Sequence, residues 1–318
     1  MDILEKIFEN NDAKPQYNVI IQSGCKIPLE IFEHTQLEIG FGNGLFTVQY
    51  AKLNPQIMLY GLEISGSCVL RCARRSQGLK NLRILCTDAR FMLRELFPDE
   101  SLEKIIMNFP CPWSKNTYAH KRVTEKDFSD SLASVLKIGG IFEFVSDDED
   151  YSNEVWKKLS NHEALNAEFF ELNPSRQVKT KYERKWLNEG KNIHRLTFKK
   201  IKNFSCVRRT LTEDFEEMHV KINNKISEDN IKNLNGISGK KSNNTFWKFG
   251  RYFSNENEFI LEGFSSDEEF EQRFYFRISE RDNGTLIKID RFANAFLTPG
   301  VRAAISDLSE RLSNSISN

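Results

Sequence analysis

From Gln36 to about Lys200, short apolar runs alternate with amphipathic stretches. This alternation predicts a parallel sheet wrapped by helices. Strands are expected near 36–39, 57–63, 82–86, 103–109 and 140–146. Each run is continuously apolar or nearly so, as in a strand buried on both faces. Ser65 is expected to cap the second helix, ahead of Val69, Leu70 and Ala73. Thr124 holds the same position before Phe128, Leu132, Val135 and Leu136. Lys137 then leads to Gly139-Gly140, a stop signal before the next strand. A further strand, 194–199, closes the region.

The pattern changes after about residue 202. Residues 221–245 are rich in Asn, Lys, Ser and Gly and read as loop. Before and into them, Phe215, Met218, Ile222 and Ile226 fall at helical spacing. Aromatic strands follow at 246–253, 259–264 and 270–279. Phe274, Phe276 and Ile278 alternate, which fits a half-buried sheet core better than a base-stacking platform. Asp282-Asn283-Gly284 is a hairpin signal into 286–290. Thr298 and Pro299 start a last helix with Val301, Ile305, Leu308 and Leu312 on one face. The expected architecture is α/β, a sheet with helices on both faces over residues 1–202. A small α+β domain follows over 203–318.

Composition narrows the function classes. The chain has 318 residues with 45 Lys and Arg against 45 Asp and Glu, so it is no polycation. Charge is uneven, however. Between 176 and 202, ten bases face two acids, while 203–318 carries 16 bases and 18 acids. The six cysteines form no Cys-x-x-Cys and lack finger-spaced His, so no metal site is expected. Few cysteines in a chain of this size point to a reduced, cytoplasmic setting. No apolar run of about 18 residues offers a membrane span. The acids in Met1-Asp2-Ile3-Leu4-Glu5 argue against a signal peptide.

The chemistry concentrates at strand ends. Leu37-Glu38-Ile39-Gly40-Phe41-Gly42-Asn43-Gly44 follows a strand and opens a helix, where glycines let a ligand approach the backbone. Its Gly-x-Gly-x-Gly spacing differs from the dinucleotide fingerprint. Glu38 beside the turn repels a pyrophosphate and suits the cationic end of S-adenosylmethionine, favouring it over NAD. Glu63 ends the second strand, where it can accept from ribose hydroxyls or simply start a helix beside Ser65. Asp88 after the third can accept from an adenine amine or act as an N-cap. After the fourth strand, Pro110 and Pro112 stiffen the loop Asn108-Phe109-Pro110-Cys111-Pro112-Trp113-Ser114-Lys115. Trp113 there is either a stacking face or a core residue. Lys115, His120, Lys121 and Arg122 make the loop basic. Asp147 ends the fifth strand and is expected to point into the cleft. Thr180-Lys181-Tyr182-Glu183 can be a capping box or, with its basic and aromatic neighbours, a nucleic-acid contact.

Over about residues 35–200 these motifs resemble the bacterial tRNA (guanine-N7)-methyltransferase family. The resemblance rests on the glycine turn, Gly61-Leu62-Glu63-Ile64, the Phe-Pro-x-Pro-Trp-x-Lys loop, Ser146-Asp147 and Thr180–Glu183. It implies a Rossmann-like fold that uses S-adenosylmethionine to methylate guanine N7 in the variable loop of tRNA. It implies that Glu38, Gly40, Gly42, Gly44, Glu63 and Asp88 bind the cofactor. Lys115, Arg122, Asp147, Thr180 and Glu183 would hold the substrate, and position 111 and Asp147 would serve catalysis. Cys111 departs from the family, which usually has Asp in the middle of that loop. Asn116, Thr117 and Tyr118 also stand where the family tends to be basic. Guanine N7 already carries a free lone pair, so a slowed enzyme is expected rather than a dead one. The alternatives are a tRNA-binding protein with weak or lost transfer, or a methyltransferase of another RNA.

Overall fold

The computed structural model describes residues 19–20, 28–112, 122, 125–209, 219–242, 244–255, 258–268, 270–290 and 295–314. The chain divides into two compact units, Met1–Ile21 with Lys26–Cys206, and Gln22–Cys25 with Val207–Asn318.

The first unit alternates strand and helix. Its elements are β1 (Val19–Ile20), β2 (Thr35–Ile39), α1 (Leu45–Leu53), β3 (Met58–Glu63), α2 (Gly66–Arg75), β4 (Leu82–Cys86), α3 (Ala89–Leu96), β5 (Leu102–Asn108) and α4 (Lys126–Val135). Then come β6 (Leu136–Ser146), α5 (Glu149–Ser160), β7 (Leu165–Leu172), α6 (Lys181–Asn188) and β8 (His194–Lys200). The sheet order is β1-β4-β3-β2-β5-β6-β8-β7. Pairing is parallel as far as β6, and β8 runs antiparallel to both β6 and β7. The chain leaves β2 for one side of the sheet and returns to the other through β5. In such sheets the crevice for ligands opens at the strands' carboxyl ends beside this reversal. Leu37, Leu59, Leu62, Ile84, Ile105 and Phe144 fill the sheet, each at most 1% exposed.

Three local expectations change. Gly139-Gly140 does not separate helix from strand, because α4 passes directly into β6 at Leu136. Gly139 has φ +82° and the β5–β6 register slips beside it, so the glycines make a bulge inside the strand. A Cβ on Gly140 would lie 2.8 Å from the Lys137 carbonyl oxygen. Ser65 does occupy the N-cap of α2, but its hydroxyl lies 3.1 Å from the Ser67 Oγ and makes no cap bond. Thr124 lies outside the described residues, and Glu125 takes the α4 cap position without a side-chain bond. β7 escapes the sequence reading because it is an edge strand with Phe169, Phe170 and Leu172 exposed.

The second unit contains β9 (His219–Ile222), α7 (Glu228–Lys232), β10 (Ser238–Ser242), β11 (Thr245–Ser254), β12 (Glu258–Asp267), β13 (Phe270–Arg281), β14 (Gly284–Ile289) and α8 (Pro299–Asn314). Its sheet is antiparallel throughout, in the order β10-β11-β12-β13-β14-β9. Val301, Ile305, Leu308 and Leu312 of α8 share one core with Phe249, Phe274, Phe276 and Ile278. The stretch 221–245 is therefore not a loop. Ser227 and Asn230 form a capping box for α7, and Ile231 and Leu234 are buried. The helical spacing of 215–226 also fails in its described part. Ile222 belongs to β9 opposite Thr285, and Ile226 enters the core from a connection. Phe215 and Met218 lie outside the described residues.

Candidate active site

β2 delivers Glu38 and Ile39 to the glycine turn. Gly40, Gly42 and Gly44 have φ of 72°, 54° and 75°, the left-handed region that glycine enters without strain. A Cβ on Gly44 would lie 2.3 Å from the Cys72 Sγ, so α2 packs against the turn through that missing side chain. Glu63, at the end of β3, fixes the turn from the other side. Its Oε2 accepts the Gly42 N–H at 2.8 Å and its Oε1 accepts the Ser65 N–H at 2.9 Å.

Two cavities open on either side of Gly40. The smaller, about 180 Å³, is lined by Glu63, Ile64, Thr87, Asp88, Cys111 and Tyr151 among others. Asp88 caps α3 by accepting the Arg90 N–H at 3.0 Å, and its carboxylate also pairs with the Arg90 guanidinium. Cys111 is exposed and faces the same cavity as Glu63 and Asp88. The loop reaches it through Phe109, a non-glycine residue held at φ +52° by an N–H bond of 2.7 Å to the Val145 carbonyl.

The larger cavity, about 310 Å³, is lined by Glu38, Gly42, Arg71, Asn108, Thr180 and Tyr182 among others. Glu38 is 1% exposed. Its Oε1 accepts from Asn108 Nδ2 at 3.2 Å, while Oε2 is buried with no hydrogen-bond partner among the described residues. Burial pushes its pKa up to about 7, against the pull of the Thr47 hydroxyl, Asn108 and Arg176. Arg176 organises the ground behind it. Its guanidinium donates to Asn108 Oδ1 at 2.7 Å, Glu183 Oε2 at 2.9 Å and Glu143 Oε1 at 3.2 Å. It also lies over the Phe46 ring, 5.3 Å from its centroid. Burial opposes ionisation of Glu143, yet Lys104 and Arg176 outweigh it and hold its pKa below the usual range.

Thr180 and Glu183 form a full capping box at the start of α6. The Thr180 hydroxyl accepts the Glu183 N–H at 3.0 Å, and Glu183 is 1% exposed. Thr180 thus lines the larger cavity, while the Glu183 carboxylate is spent on the cap and on Arg176. Asp147 pairs with Lys191 at 3.1 Å and lines neither cavity, contrary to the expectation that it points into the cleft. Arg122 pairs with Glu154 at 2.8 Å and donates to the Pro112 carbonyl at 3.1 Å, so it anchors the loop. Lys115, Trp113, His120 and Lys121 lie outside the described residues. Asn108 and Arg176 join the site without having been singled out from the sequence. Arg176 was legible there only as one of ten bases between residues 176 and 202.

The donor set fits an amino-acid cation. An orphaned, buried carboxylate oxygen suits an ammonium, and Arg71 on the same cavity offers charge for a carboxylate. Among the described residues, no group of three or more His, Cys, Asp or Glu is placed to hold a metal ion. No described helix is long and apolar enough to cross a membrane.

A family model described as "Putative methyltransferase" matches residues 33–196. The tRNA (guanine-N(7)-)-methyltransferase of Thermotoga maritima is 34% identical over 306 residues, covering 93% of this chain and 97% of that protein. The tRNA (guanine-N(7)-)-methyltransferase of Aquifex aeolicus is 28% identical, over 91% of this chain and 97% of that one. Both alignments run well past residue 200, so the likeness extends into the second unit. Among solved structures, the 16S rRNA (adenine(1408)-N(1))-methyltransferase of Catenulisporales acidiphilia superposes with a TM-score of 0.41 at 13% identity, over 54% of this chain and 89% of that one. With its glycine turn, its strand-end acids and this near full-length match, the chain belongs to the tRNA (guanine-N7)-methyltransferase family.

Proposed function

We propose that this protein methylates guanine N7 in the variable loop of tRNA, with S-adenosylmethionine as the methyl donor. The observation that carries the reading is the buried Glu38 carboxylate, which lines the larger cavity beside the glycine turn with one oxygen unpaired. Glu38 would hold the ammonium of the methionine part and Arg71 its carboxylate. Glu63 would accept from the ribose hydroxyls and Asp88 from the adenine amine, with Gly40, Gly42 and Gly44 letting the ligand lie against the backbone. The bound donor supplies a methyl group made electrophilic by its sulfonium. Guanine N7 attacks with its own lone pair, so the chain need not remove a proton.

What the residues contribute is alignment and charge. Thr180 and Tyr182 would guide the base on the side of the larger cavity. Glu183 acts through Thr180 and Arg176 rather than by touching the base. Arg122 keeps the Pro110–Pro112 loop in place so that Lys115 can meet phosphate. Asp147 would act with Lys191 at the edge of the substrate path. Position 111 is where charge on the developing methylated purine can be met. A neutral thiol there in place of a carboxylate costs about 1–3 kcal/mol, roughly ten- to hundred-fold in rate.

The test is methyl transfer to unmodified tRNA, read as 7-methylguanosine by mass spectrometry after digestion. The nucleoside should appear, and the single-turnover rate should rise at least about ten-fold in Cys111→Asp. Binding of both S-adenosylmethionine and tRNA without 7-methylguanosine would sink the reading. The exposed Cys111 would then mark a tRNA-binding protein that has lost transfer.

A further inference from the structure

The second unit's sheet has a face that the proposed reaction does not use. Along β11, β12 and β13, residues such as Trp247, Phe249, Leu261, Phe274 and Phe276 belong to the core shared with α8. The residues between them lie on the opposite face, since side chains alternate along a strand. Register sets Lys248 beside Phe264, and Phe264 beside Arg273. One aromatic ring is thus bracketed by two cations in a single row across three strands. The rows on either side add Phe246, opposite Lys240 of β10, and Tyr275, opposite Glu262. Phe246 and Phe264 meet edge to face with ring centroids 6.2 Å apart.

Lys240, Lys248, Arg273 and Tyr275 are exposed. No ion pair or hydrogen bond holds the Lys240 or Lys248 ammonium among the described residues. Among the described residues, the acids on this part of the face are Glu262, paired with Arg251 at 2.9 Å, and Glu271 at the far end of the Phe246 row. Gly250 leaves the floor open, since a Cβ there would lie 2.8 Å from Glu262 Oε2. The result is a hollow of about 430 Å³ lined by Phe246, Lys248, Phe264, Arg273 and Tyr275 among others. A sheet that merely faced water would not need rings here. A protein interface would favour a continuous apolar core with charge at its rim. Rings interleaved with cations match the two parts of a nucleotide instead. Bases stack on aromatic faces regardless of sequence, and phosphates meet Lys and Arg.

We propose that this sheet face binds an unpaired stretch of tRNA, with bases on Phe264 and Phe246 and phosphates on Lys248 and Arg273. The proposal rests on tRNA being the substrate. It makes the second unit a tRNA-holding module whose residues take no part in the transfer step.

The experiment uses the full-length chain and unmodified tRNA, with Phe264→Leu, Phe264→Tyr and a double Lys248→Gln/Arg273→Gln variant. Phe264→Leu keeps the apolar bulk and should weaken tRNA affinity about ten-fold, while Phe264→Tyr keeps the ring and the affinity. The double variant should flatten the slope of log affinity against log salt by about 1.4. S-adenosylmethionine affinity, thermal midpoint and the rate at saturating tRNA should stay at wild-type values in all three, which separates the effect from misfolding. Normal wild-type methylation with unchanged tRNA affinity in the Leu and double variants overturns the proposal alone. Absence of tRNA binding by the wild-type protein overturns the functional reading and this face with it. Loss of self-association in place of tRNA affinity overturns it too, and marks the face as a protein interface.

Discussion

Glu38 gives the site a pH signature. In the ligand-free chain its carboxyl titrates at about 7, against 4.5 for an ordinary glutamate, because burial disfavours the charged form. A cation binds the ionised form. Affinity for S-adenosylmethionine should therefore fall up to about ten-fold per unit as pH drops below 7. Calorimetry at a series of pH values checks this, and Glu38→Gln should bind weakly with a flat profile. Stability runs the opposite way. Between 4.5 and about 7 the native state holds a proton that the unfolded chain has released, so stability falls as pH rises through that window. Ligand-free Glu38→Gln should accordingly resist urea better than the wild type at pH 8, by up to roughly 3 kcal/mol. Glu38 could be read from the sequence because it adjoins the glycine turn. Asn108 and Arg176 could not be assigned roles in the same way. They meet across 68 positions, and nothing in a run of bases says which one is 5% exposed and bonded to three partners.

At the scale of elements, α6 is held by its first turn and by Arg176. Thr180→Ala removes a side-chain cap worth about 1 kcal/mol, measurable as a lower urea midpoint. Arg176→Gln does more. It leaves Glu183 buried without its cation, at a cost of about 3–5 kcal/mol. It also withdraws a charge that helps to keep Glu38 ionised, so the pH midpoint for S-adenosylmethionine binding should move upward. Arg176→Lys should keep that midpoint near its wild-type value while losing part of the stability, since an ammonium lacks the planar fork. A midpoint that is the same in all three proteins would refute the coupling. The elements themselves divide by how they are buried. β2 to β5 are largely buried on both faces, and their apolar positions could be read from the sequence. β7, β9 and β10 lie at or beside sheet edges with polar or mixed sequences. For β10, Ser-Gly-Lys-Lys-Ser carries no strand pattern, and its pairing with β11 lets Trp247 pack where Gly239 has no Cβ.

At the scale of the molecule, the residues that line the two cavities all belong to the first unit, while the second has a core of its own. Phe276 is fully buried in that second core. Phe276→Ala should cost about 3–5 kcal/mol, read as faster hydrogen exchange along β12 and β13. S-adenosylmethionine affinity should be unchanged. The order β11 to β14 could be anticipated because neighbours in sequence are neighbours in the sheet. The antiparallel reversal that inserts β8 between β6 and β7 could not. It depends on a long-range pairing that no local signal announces.

Glu63 brings a last consequence. Each of its carboxylate oxygens already accepts one backbone N–H, from Gly42 and from Ser65. The side chain is therefore immobilised before any ligand arrives, and it lines the smaller cavity from a fixed frame. A ribose that meets it need not quench the wandering of a flexible acid, and the entropy usually lost in that step does not weigh on binding. The same economy makes the position unforgiving. An alanine there would remove the contact proposed for the ribose and slacken the turn together, so the two losses would be inherited as one.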